Sequence, residues 1–86
     1  MSHLPSGWRM QLASDIVRDG MGLELLGPSG NVVAEIFRSD ASRTVTVKTF
    51  GEDPLAVFEA YIRRAWRDLD PFEDGSSFAS VGIARD

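Results

Sequence analysis

Residues 53–69 read DPLAVFEAYIRRAWRDL, and within them Leu55, Phe58, Ile62, Ala65, Trp66 and Leu69 recur every three or four positions. That period places all six on one stripe of an α-helix, with Tyr61 at its rim. Asp53 is a favoured N-cap, and Pro54 suits the first helical position, where its missing N–H is no loss. Asp70-Pro71 stops the helix. The outer face carries Glu59, Arg63, Arg64, Arg67 and Asp68, with Glu59–Arg63 and Arg64–Asp68 each one turn apart.

Working back from the helix, three apolar-rich segments read as strands. Thr44 to Phe50 alternates Val45 and Val47 with Thr44, Thr46 and Lys48, and its β-branched residues suit a pleated surface. Val32 to Arg38 sets Val32, Ala34 and Ile36 against Val33, Glu35 and Phe37. Met21 to Leu26 sets Leu23 and Leu25 against Glu24 and Leu26. The turn clusters Gly27-Pro28-Ser29-Gly30-Asn31 and Ser39-Asp40-Ala41-Ser42 separate them. Further upstream, Trp8, Met10 and Leu12 alternate with Arg9 and Gln11, predicting a first strand. A helix over 9–18 competes, because Met10, Ala13 and Val17 share a face. In the connection that follows, Ile16 and Val17 are expected to touch the edge of the core.

The predicted fold is α+β: an antiparallel meander of three to four strands with one amphipathic helix on one face. Its expected organisation is a flexible arm over 1–7, a single domain over 8–69 and an acidic tail over 70–86. In that tail Phe78 to Ile83 either adds an edge strand or orders on a partner. Eighty-six residues suffice for one small domain.

Composition narrows function. With no cysteine, disulfides and thiolate metal sites are excluded, and a reducing cytoplasm is the expected location. No run is long and apolar enough for a bilayer span, and the N-terminus shows neither a basic nor an apolar signal region. The net charge of −4 disfavours direct nucleic-acid binding and suits a basic protein partner.

No catalytic constellation emerges. The one histidine, His3, lies in the arm without companions for a metal site. The acids Asp68, Asp70, Glu73 and Asp74 do not match a calcium loop. Ser29 sits between Pro28 and Gly30 but outside the G-x-S-x-G pattern, and Gly20-Met21-Gly22 lacks the rest of a phosphate loop. The sequence therefore predicts neither an enzyme nor a cofactor or metal site.

What remains is binding. Because one helix covers one face, Val33 and Phe37, with Leu26 beside them, are expected on the opposite face, either exposed or roofed by Trp8 or Phe78. Together with Asp68, Asp70, Glu73 and Asp74 they form the predicted partner-binding set. An alternative is RNA binding through Arg63, Arg64 and Arg67, with Arg38, Arg43 and Lys48 along the sheet. A further alternative is a homodimer through an open sheet edge. In size and charge the chain resembles small acidic proteins of phages and mobile elements, such as anti-CRISPR and toxin-neutralising proteins. That resemblance rests on no particular residue. It implies an inhibitor that occludes a basic, nucleic-acid-binding surface.

Overall fold

A computed structural model of the protein describes residues 4–78. Four strands and one helix follow in order: β1 (Arg9–Asp15), β2 (Gly20–Leu26), β3 (Val32–Ser39), β4 (Thr44–Thr49) and α1 (Leu55–Leu69). The strands form one antiparallel sheet in the order β1-β2-β3-β4, with α1 packed on one face, as the sequence predicts. His3 and the segment 79–86 lie outside the described residues, and with them most of the candidate edge strand.

One transverse row shows how the layers meet. Leu12, Leu23, Ile36 and Val47 lie side by side across the four strands on the helix face. The inner two are buried, while Leu12 and Val47 are each 50% exposed. Width explains the difference. Outer strands of a four-stranded sheet lie roughly 14 Å apart at about 4.8 Å per step. A helix is only about 10 Å across, so one helix covers the centre and leaves both flanks open.

The helix is rotated from the predicted stripe. Val57, Tyr61, Ala65 and Leu69 form its buried row, whereas Phe58 and Ile62 are half-buried and Leu55 and Trp66 are exposed. Apolar residues occupy two adjacent i,i+4 rows, so periodicity alone does not choose between them. The row that won has small Ala65 against the sheet and a phenol whose hydroxyl donates to the Leu23 carbonyl. Tyr61 is thus fully buried rather than at the rim. Asp53 is not the N-cap: the helix starts one residue later, from Pro54, with no side-chain cap. The Asp53 Oδ1 is buried without a hydrogen-bond partner among the described residues.

The far end of the helix is tied down by the sheet. Arg38 reaches across from β3 and donates from Nη1 to the carbonyls of Leu69 (2.8 Å) and Pro71 (3.0 Å). A cation is well placed among the unsatisfied carbonyls at a helix C-terminus. Arg38 therefore faces the helix, not the open sheet face where the RNA-binding alternative placed it. After a cis Asp70–Pro71 bond the chain turns back, and Phe72 and Phe78 bury their rings in the same core, 5.0 Å apart. Residues 70–78 thus return two aromatic anchors to the core, while Glu73, Asp74, Gly75 and Ser77 between them stay exposed.

Candidate functional site: the acidic end of the sheet

The open sheet face does not carry the expected apolar patch. Phe37 is only 7% exposed, yet neither Trp8 nor Phe78 roofs it. Its cover is Arg18, whose guanidinium carbon sits 4.0 Å from the ring centroid. Arg18 is held there by Asp15 (2.5 Å) on one side and Glu35 (2.8 Å) on the other. Phe37 lies against Gly20, where an added Cβ would fall 2.6 Å from Cζ of the ring. A cation over an aromatic face is favourable, so a polar arch closes what would have been an apolar surface. Val33 is displaced by a different cause. Leu25 pairs with Ala34 but Leu26 pairs with Val32, making Val33 the extra residue of a β-bulge. It is half-buried, packed on the helix-side core near Trp8.

Three loops meet at the end of the sheet beneath the helix C-terminus: residues 16–19, residues 40–43 and residues 70–78. Asp40 joins them. Its N–H donates to the Asp19 carbonyl (2.9 Å), its Oδ1 accepts the Glu73 N–H (2.8 Å), and its Oδ2 accepts from Arg38 (3.1 Å). Its side chain is only 7% exposed.

The four acids singled out from the sequence stand at or near this end, in different roles. Asp68 accepts from both Arg64 and Arg67. Partial burial works to raise its carboxyl, but the hydrogen bonds from Arg67 and Arg64 outweigh it and hold the group below its ordinary value. Asp70 accepts the Phe78 N–H through Oδ1 (2.8 Å). Asp74 accepts from the hydroxyl and backbone N–H of Ser76, which lower its carboxyl, and lies 3.7 Å from Arg43. Glu73 is exposed, and its carboxylate makes none of the ion pairs among the described residues.

Of the arginines proposed for RNA, Arg64 and Arg67 both serve Asp68, while Arg63 is exposed. The expected Glu59–Arg63 pair is not among the ion pairs formed.

A hollow of about 250 Å³ opens at the same end, lined by Asp15, Asp19, Asp40 and Glu73 together with Arg38. At its rim stand Ile16 (93% exposed) and Val17 (95%), the two most exposed aliphatic side chains among the described residues. Far from touching the core, they cap the β1–β2 turn. That turn is pinned: the Arg18 N–H donates to Asp15 Oδ1 (2.9 Å), the Asp19 N–H donates to the Ile16 carbonyl (3.3 Å), and Asp19 takes a positive φ of 55°. Hydrogen bonds from the Arg18 backbone and side chain hold the Asp15 carboxyl below its ordinary value. Asp-Ile-Val-Arg-Asp is a legible turn frame in hindsight, since Asp15 and Asp19 bracket two apolar residues too few for a strand.

Among the described residues no group of three or more histidine, aspartate or glutamate side chains is placed to hold a metal ion, and no helix is long and apolar enough to cross a membrane. No protein family, curated protein or solved structure matches the chain.

Proposed function

We propose that this chain is a non-enzymatic protein-binding domain that docks its acidic end on a basic surface of a partner protein and acts by occlusion. The observation that carries the reading is the Ile16–Val17 pair, almost fully solvated yet held on a rigid turn beside a carboxylate-lined hollow. Two pinned aliphatic side chains give a small apolar anchor without the entropy of ordering a loose loop. Carboxylates around an anchor steer a basic surface toward it and set the orientation of the complex. Surfaces that bind nucleic acid are basic, so a domain of this charge competes for them. This is the mode of a cytoplasmic inhibitor of the kind phages and mobile elements carry, and it needs neither cofactor nor metal.

The electrostatic contribution comes chiefly from Asp19, Glu73 and Asp74. Asp68 and Asp70 are engaged in holding the fold. Capture of partners from lysate tests the reading with two variants, Ile16→Asp/Val17→Asp and Asp19→Lys/Glu73→Lys. A basic protein retained by the wild type at low salt, shed at high salt and lost from both variants supports it. A partner held equally by all three chains refutes it. Nuclease-sensitive recovery of RNA instead moves the function to Arg63, Arg64 and Arg67.

A further inference from the structure

The flank of the sheet left open beside α1 has its own organisation. β4 is an edge strand, and its ladder with β3 runs from Thr44 to Thr49 without a bulge. The Phe50 N–H donates to the Val33 carbonyl. Alternation along an antiparallel ladder then turns Thr44, Thr46 and Lys48 toward β3 and leaves the amide groups of Val45, Val47 and Thr49 facing outward. Edges of this sort are usually blunted by proline, a bulge or an inward charge. β4 has neither proline nor bulge, and the one charge on it is Lys48. Next to it an apolar groove of about 150 Å³ is lined by Val45, Val47, Ile62, Trp66 and Phe78, with Trp66 itself 43% exposed.

We propose that β4 pairs antiparallel with β4 of a second copy of this chain, about a two-fold axis at Val47, giving a continuous eight-stranded sheet. Three features select a second copy as the occupant. First, the register satisfies the outward amides, setting Val47 against Val47 of the second copy and Val45 against its Thr49. Second, like faces meet like, so the two Trp66 grooves join across the axis on the helix side. Third, the charges at the two ends of the strand are opposite: Arg43, exposed although it donates to Ser76 and lies 3.7 Å from Asp74, precedes it, and exposed Glu52 follows it. Antiparallel self-pairing brings Arg43 beside Glu52 of the second copy at each end of the ladder. Lys48 falls opposite Thr46, so the two central cations are offset along the strands. The inference does not rest on the function proposed for the acidic end, although Arg43 touches Asp74 there. The β1–β2 turn that carries Ile16 and Val17 lies at the opposite edge of the sheet and stays outside the interface.

Sedimentation equilibrium of the full chain across a concentration series tests it. The wild type is expected to dimerise. Val47→Lys sets like charges together at the axis and is expected to raise the dimer dissociation constant by about tenfold or more, with far-UV circular dichroism unchanged because the site is half-exposed, and to abolish any dependence of melting on protein concentration. Arg43→Glu is expected to weaken the dimer, and Arg43→Glu/Glu52→Arg to restore it, which a merely structural role would not do. A monomer at every concentration overturns the proposal. So does a dimer that survives Val47→Lys but not Leu12→Lys, which assigns it to β1. So does association seen only after removal of residues 79–86, which assigns the groove to the chain's own end.

Discussion

The hydroxyl of Tyr61, in the middle of α1, donates to the backbone carbonyl of Leu23, in the middle of β2. Both residues are essentially unexposed, so this bond ties the two layers together at the centre of the core. Tyr61→Phe keeps the ring and removes the donor. It is expected to lower unfolding free energy by about 1 kcal/mol, read in urea as a lower midpoint at unchanged slope. Tyr61→Ala also opens a cavity and is expected to cost about 3–5 kcal/mol.

Arg18 and Phe37 make a second pairing, on the opposite face. Removing the guanidinium uncovers the ring and frees two carboxylates. Arg18 is half-exposed, so solvent screens its ion pairs. Arg18→Ala is therefore expected to destabilise the fold only slightly, with increased binding of a hydrophobic dye as Phe37 opens. Gly20→Ala is expected to cost more, because its Cβ would fall 2.0 Å from the Arg38 carbonyl oxygen as well as against the ring. Chemical denaturation of the two variants ranks them.

These two pairings mark where reading the sequence stops. Strands and helix follow from period, turn residues and β-branching, all local quantities. Which of two neighbouring rows on α1 faces inward depends on what the sheet offers in return, and Leu23's carbonyl is a backbone group that no side-chain pattern reveals. Alternation along β3 gives Phe37 its face, but its cover comes from Arg18, nineteen residues away along the chain. In the acidic tail Glu73-Asp74-Gly75-Ser76-Ser77 has the composition of a loose connection, while Phe72 and Phe78 on either side are anchors. Ile16 and Val17 illustrate the converse. Apolar character alone suggested contact with the core, whereas the turn leaves them no surface to reach.

Asp40 connects the three loops of the acidic end, and its loss is expected to loosen that end without unfolding the sheet. Asp40→Ala deprives Arg38 and the Glu73 N–H of an acceptor. Leaving a nearly buried cation short of a partner is expected to cost about 2–3 kcal/mol. Asp40→Asn keeps one acceptor and is expected to cost less. Amide hydrogen exchange distinguishes local from global effects: the Glu73 amide is expected to lose protection in both variants, while amides at the centre of β2 and β3 track global stability alone.

The pH dependence has two limbs, set by different residues. On the acid side, hydrogen bonds hold the carboxyls of Asp15, Asp68 and Asp74 below their ordinary range in the folded chain. Above the unfolded value of about 4 these groups are ionised in both states and their contribution is complete. As pH falls below it the unfolded chain takes up protons first, so stability declines through the folded-state values. The acidic end, where Asp15 and Asp74 lie, is expected to open first. On the alkaline side, burial raises the Tyr61 phenol well above its ordinary value. Its contribution is complete below about pH 10, the unfolded value. It is lost as pH rises further, because only the unfolded chain then ionises freely. Tyr61 is the single tyrosine in the chain, so tyrosinate absorbance reports it alone. Ionisation is expected to coincide with loss of ellipticity, whereas a separate titration near pH 10 in the folded protein would place the ring in solvent and contradict its hydrogen bond to Leu23.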